Sequence, residues 1–145
     1  MFKHLLIPTD GSEHALHAAR IAVDLASKTG ASVHAFHVLP PLNTVSLLTD
    51  TLLQGPDGYL SQSTERARQH LAAIQALADE AQVPCRGSYV FDLRPYTAII
   101  GAAREQHCDL IVMGTHGRTG FDRLVLGSET HKVLNSCDIP VLVCH

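Results

Sequence analysis

The stretch from Gly114 to Ser128 reads GTHGRTGFDRLVLGS. It follows the apolar run Leu110-Ile111-Val112-Met113, which reads as a buried strand, and leads into THKVLNS, which reads as a short helix. Glycines stand at Gly114, Gly117 and Gly127, with a hydroxyl at Ser128. Glycine has no Cβ, so it accepts positive φ and lets backbone approach a ligand closely. A serine just ahead of a helix can cap it and leave the first amides pointing at an anion. Strand, glycine-rich loop and helix start are the parts of a phosphate cradle. The spacing G-x2-G-x9-G-S is neither the Walker-A pattern nor the dinucleotide G-x-G-x-x-G. A purely structural tight loop is the competing reading of the same glycines.

Outward from this stretch, strand-like and helix-like patterns alternate. Leu5-Leu6-Ile7 is a first strand, closed by Pro8. Ser12 is placed to cap a helix with Ala15, Leu16, Ala19, Ala22, Val23 and Ala26 on one face, and Gly30 stands where a left-handed residue ends it. Val33 to Val38 is a second strand. The segment from Leu39 to Gly58 reads as irregular, with one helical turn near Val45 to Leu53. A long helix follows from Tyr59 to Ala81, with Leu60, Ala67, Leu71, Ile74 and Ala78 on one face. Arg86 to Val90 is a third strand. Pro95, favoured in a first helical turn, opens a helix to Gln106. Asp109 to Met113 is strand four, a helix follows Ser128, and Val141 to Cys144 is strand five. This alternation implies an α/β fold with a parallel sheet and right-handed crossovers.

Size and composition narrow the class. The chain has 145 residues, 46% of them hydrophobic, which suits one domain over 1–145. No apolar run approaches the roughly 20 residues of a membrane helix. The N-terminal apolar stretch ends at Pro8-Thr9-Asp10, too early for a secretory signal. The expectation is a cytoplasmic protein without a membrane partner. Net charge is −3 and there is no basic tail, so nothing points to nucleic acid. Cys85, Cys108, Cys137 and Cys144 form no C-x-x-C and read as reduced thiols. His14 and His17 lack a third ligand at useful spacing, and His34 and His37 point to opposite faces of a regular strand. No metal site is expected from either pair.

The glycine spacing resembles the nucleotide-binding signature of the universal stress protein family. The resemblance extends to HLLIPTDGSEHA at the N-terminus, to His37-Val38, to RPYTAIIGAAREQHCDLIVMGTHGRTG and to the terminal IPVLVCH, in the order usual for that family. It implies an open five-stranded parallel sheet of order 3-2-1-4-5, helices on both faces, of the adenine nucleotide alpha hydrolase-like type. Ligands in such sheets bind beyond the carboxyl ends of the strands, where strand order reverses. The loops after strands one and four then share one crevice. By the resemblance, Pro8, Thr9 and Asp10 lie against the nucleoside and the Val38 backbone meets the adenine edge. Gly114, Gly117, Gly127 and Ser128 match the phosphate and ribose loop. Arg118 either reaches a phosphate or stays solvated, Met113 either walls the pocket or belongs to the core, and Asp10 is also readable as a turn residue ahead of Ser12.

Glu129 departs from the pattern, since a small or apolar residue is expected after Ser128. A carboxylate in a first helical turn suits the helix dipole. It repels a bound triphosphate unless it points away or holds Mg²⁺. The implied ligand is ATP, with AMP or ADP as variants. The implied function is a nucleotide-dependent stress-response switch with at most slow hydrolysis, since no nucleophile–base pair and no Walker lysine are visible. A same-fold interaction module without nucleotide, or a weak ATPase or nucleotidyl-transfer enzyme, are the alternatives. The resemblance also implies a homodimer through strand five, with Val141, Leu142 and Val143 pairing antiparallel with their copies.

Overall fold

A computed structural model describes residues 1–41, 49–116 and 126–145. The elements are β1 (His4–Thr9), α1 (Glu13–Thr29), β2 (Ser32–Leu39), α2 (Thr49–Glu80), β3 (Cys85–Phe91), α3 (Pro95–Glu105), β4 (Leu110–Gly114), α4 (Ser128–Ser136) and β5 (Val141–Cys144). The five strands form one parallel sheet of order β3-β2-β1-β4-β5. Helices α1 and α2 cover one face and α3 and α4 the other.

Local chemistry explains most boundaries. The Ser12 side chain accepts from Ala15 N at 3.2 Å, and Gly30 takes φ 72°, so both ends of α1 are closed as the sequence predicts. The buried stripe of α1 is Ala15, Ala18, Ala19, Ala22, Val23 and Ala26. Nearly all of it is alanine, which lets the helix backbone come close to the sheet. Ala18 takes the buried place expected for Leu16, which is only half-buried.

The segment around residue 55 differs from expectation. Helical structure begins at Thr49 and continues through Pro56-Asp57-Gly58, broken only at Gly55, with φ 71° and ψ 175°. The glycine absorbs the break, and Pro56, with fixed φ and no N–H, suits the first turn that follows. Of the turn expected near Val45 to Leu53, positions 45–48 lie outside the described residues. In α2 the buried face includes Ser63, Ala67, Ile74 and Ala78, with Leu71 packed against it. Leu60 is exposed instead, because the helix runs past that core.

Two core layers sandwich the sheet. Leu5, Ile7, Val33, Ala35 and Val112 pack under α1 and α2, whereas Leu6, Phe36, Ile111 and Met113 pack under α3 and α4. All four thiols are free, Cys108 and Cys144 buried and the others half-buried. Burial pushes the Cys108 thiol up to about 12, with Asp109 adding to it, so it stays protonated and unreactive.

His34 lies buried within the sheet layer. Its Nε2 pairs with Ser88 Oγ at 2.8 Å, while Nδ1 has no hydrogen-bond partner among the described residues. Burial first, then His4 and Arg86, hold its pKa below the ordinary 6.5. The unfolded chain therefore takes up this proton at higher pH than the folded one, and stability falls as pH drops below 6.5 toward the folded value. His34→Gln is expected to flatten that slope in urea titrations compared at about pH 7.5 and about pH 5.5. An identical slope in variant and parent would show that this ring does not titrate across folding.

Candidate functional site

The register of the sheet opens a crevice between β1 and β4. The β1–β2 ladder runs the full length of β1, from His4–Ser32 to Thr9–His37. The β1–β4 ladder holds only Leu5–Leu110 and Leu6–Ile111. Beyond Leu6 the two strands part, and Pro8, lacking an N–H, follows shortly after the parting. Connections leave to opposite sides here, since β2 and β4 flank β1, and this is where open parallel sheets take ligands.

The β1 side of the crevice is a tight turn. Asp10 Oδ1 accepts from Ser12 N at 2.9 Å and Thr9 Oγ1 from Gly11 N at 3.1 Å. Asp10 thus closes this turn at the mouth of the crevice. Gly11 takes φ 78°, and a Cβ there would run into the His70 imidazole from α2. The ring of His70 meets that of His37 edge-on, with centroids 4.9 Å apart, and His37 Nδ1 bonds Thr9 O at 2.6 Å. Gly11, His37 and His70 therefore fix the shape of this turn. Asp10-Gly11 is itself a turn signal, but the distant histidine gives no local sign of its partner.

The β4 side is packed backbone against backbone. A Cβ on Gly114 would lie 2.9 Å from the backbone oxygen of His14 in α1. A Cβ on Gly127 would lie 2.7 Å from Thr115 O, which accepts from Gly127 N at 2.6 Å. Thr130 Oγ1 donates to Gly114 O at 2.9 Å, and Thr115 N to Cys144 O at 2.9 Å. The start of α4 is thereby tied to the end of β4. Gly127 has φ −54°, so close backbone approach, not positive φ, requires a glycine here.

Ser128 is not the cap expected of it. The cap position falls on Gly127, and Ser128 is the exposed first residue of the helix. The buried Thr130 hydroxyl supplies the anchoring bond instead. Gly117 and Arg118 lie outside the described residues. The Met113 side chain sits in the core with Leu6, Phe36 and Val133.

Glu129 has a structural partner. Its Oε2 accepts from Tyr96 N at 2.9 Å, in the first turn of α3, and its Oε1 from Lys132 Nζ at 3.2 Å. Arg94, at the cap position of α3, makes no side-chain capping bond, so Glu129 closes that helix from a neighbour. Its carboxylate is directed at a helix start and paired with a lysine.

Val38 lies on the other side of β1. It pairs with Val90 of β3, but β1 ends opposite His37, so Val38 and Leu39 overhang the end of β1. Among the described residues, no three His, Cys, Asp or Glu side chains gather as a preformed metal site.

A model of the universal stress protein family matches residues 1–145. The chain belongs to the universal stress protein family. Among curated universal stress proteins, one of Thermus aquaticus is 35% identical over 146 residues, covering 99% of this chain and 98% of its own. Protein MJ0531 of Methanocaldococcus jannaschii is 33% identical over 144 residues, covering 99% and 82%. The solved structure of MJ0577 from the same organism superposes with a TM-score of 0.82 at 26% identity, covering 99% of this chain and 95% of that one. More distant universal stress proteins share the fold. One is in complex with cAMP, at 21% identity and TM-score 0.70, and one from Archaeoglobus fulgidus with dAMP, at 19% and 0.70. The fold is the adenine nucleotide alpha hydrolase-like one that the family resemblance implies.

Proposed function

We propose that this universal stress protein binds ATP in the crevice between the β1 and β4 loops, as a nucleotide-dependent switch with at most slow hydrolysis. The observation that supports this best is the parting of β1 and β4 beside a loop in which neither Gly114 nor Gly127 has room for a Cβ. That packing fixes the backbone at Gly114 and Gly127, where a phosphate cradle needs its amides held in place. Pro8, Thr9 and Asp10 would flank the nucleoside and Gly114, Gly117, Gly127 and Ser128 the phosphates, to which Arg118 would add a charge-assisted bond. Met113 would contribute through its place at the strand end. Glu129 is compatible with a triphosphate because Tyr96 N and Lys132 already occupy its oxygens. Mg²⁺ would accompany the phosphates, and AMP or ADP would fit the same nucleoside contacts. The cAMP and dAMP complexes belong to proteins alike in fold.

The domain spans residues 1–145, and we place it in the cytoplasm, where its four free thiols stay reduced. No described helix is long and apolar enough to cross a membrane. With Val141, Leu142 and Val143 on the edge strand of the sheet, it would pair as a homodimer through β5.

ATP is expected to bind more tightly than GTP. Where β2 overhangs β1 at Val38, fixed backbone groups can match the donor and acceptor of adenine's edge, and guanine reverses that pattern. One reversed pair costs about 1–3 kcal/mol, which is about fivefold to somewhat over a hundredfold in affinity. Calorimetric titration decides this: equal affinities would remove the Val38 edge from recognition, and no binding of either nucleotide would remove the whole reading.

A further inference from the structure

We infer that His14 and His116 are half of a coordination site for a divalent transition-metal ion, completed by the phosphates of the bound nucleotide. This rests on the nucleotide reading above and specifies which metal complex the crevice prefers. His14 lies exposed in the first turn of α1, and His116 lies just past β4. Their ring centroids are 5.7 Å apart and the rings are inclined by 53°. With metal–nitrogen bonds of about 2.0–2.1 Å, two rings on one ion have centroids about 5 Å apart at a tetrahedral angle and about 6.4 Å apart when opposite. The observed spacing falls between these limits.

The second observation is the hydrogen bonding of His116. Its Nδ1 lies 3.0 Å from Thr115 Oγ1, whereas Nε2 is shielded from water and has no hydrogen-bond partner among the described residues. Donation from Nδ1 to the hydroxyl leaves a lone pair on Nε2, which is how an outer partner prepares a ligating imidazole. The partner is itself fixed, because Thr115 N bonds Cys144 O and Thr115 O receives Gly127 N. The contact of Gly114 with the His14 backbone holds the start of α1 against the end of β4. The relative position of the two histidines is therefore set by backbone packing.

Among the described residues no third side chain joins them, so the protein supplies two nitrogens and the remaining ligands must come from elsewhere. Two imidazoles and two phosphate oxygens suit zinc or cobalt, while magnesium prefers an all-oxygen shell. Metal affinity should then depend on nucleotide, and by reciprocity such metals should raise nucleotide affinity by the same factor.

The probe is Co²⁺, added to the protein alone and with ATP, with ATP affinity also measured in Zn²⁺ and in Mg²⁺. The expected result is a four-coordinate cobalt absorption band that needs both protein and ATP, and ATP affinity about tenfold or more higher in Zn²⁺ than in Mg²⁺. His14→Ala, an exposed position, and His116→Ala should each lose the band and the gain, with affinity in Mg²⁺ within about twofold of the parent. Equal affinities in Zn²⁺ and Mg²⁺, or a gain that survives both substitutions, would overturn the site while leaving ATP binding intact. Absence of ATP binding with every metal would overturn the nucleotide reading and this inference with it.

Discussion

Gly127→Val is expected to abolish ATP binding. The added Cβ would stand 2.7 Å from Thr115 O and 3.3 Å from the His116 Cα, both backbone atoms. Neither can swing aside as a side-chain tip would. The Gly127 N–H···O bond to Thr115, at 2.6 Å, must lengthen or break, and the start of α4 must move away from β4. Such overpacking costs about 1–3 kcal/mol of stability, which a domain of this size tolerates while remaining folded. Binding suffers more, because displacing a positioned group by about 1 Å can cost about a hundredfold. Loss of the calorimetric signal with a urea transition still cooperative and only slightly earlier is the expected pair of results. A folded variant with unchanged ATP affinity would assign these glycines to loop packing alone.

Leu142→Lys is expected to convert a dimer into a monomer. β5 ends the sheet and pairs only with β4, so its other edge has no strand beside it among the described residues. Leu142 is 38% exposed there, between half-buried Val141 and Val143. An uncharged edge of this kind invites uncontrolled pairing unless something covers it. A two-fold contact between copies covers both edges at once, and Pro140, without an N–H, limits how far the pairing runs. In a two-fold contact each substitution enters twice. Two lysines facing one another in an apolar seam cost several kcal/mol, enough to shift dissociation by more than about a hundredfold. Light scattering at tens of micromolar should give twice the chain mass for the parent and the chain mass for the variant. A monomeric parent under those conditions would end the proposal.

Much of the architecture is legible in local patterns. The Ser12 and Gly30 caps, the alanine stripe of α1, Pro95 opening α3 and the four-residue β5 each depend on residues close in sequence, where propensity and capping act. Val33 to Val38 and Leu110 to Met113 were recognisable because strands buried on both faces read as nearly continuous apolar runs. Where local signals conflict, the pattern alone misplaces the element. Pro56-Asp57-Gly58 resembles a turn, yet Gly55 alone takes the positive φ and helix resumes at once.

The site divides along the same line. Its glycine loop and Pro8-Thr9-Asp10 stand in the sequence by themselves, and the alternation of strands and helices makes a parallel sheet the expected arrangement. Periodicity does not give the strand order, because it reports which face of an element is buried and not which strand lies beside it. Only the tertiary structure shows β1 and β4 separating after Leu6 and Ile111. It alone moves the cap from Ser128 to Gly127, hands the anchoring bond to Thr130, turns Glu129 toward Tyr96 N and brings His14 beside His116. Each of these is a contact between segments distant along the chain, fixed by how closely one backbone can approach another. That distance is set by the alanine face of α1 and the missing Cβ atoms at 114 and 127, acting together only once the sheet has formed.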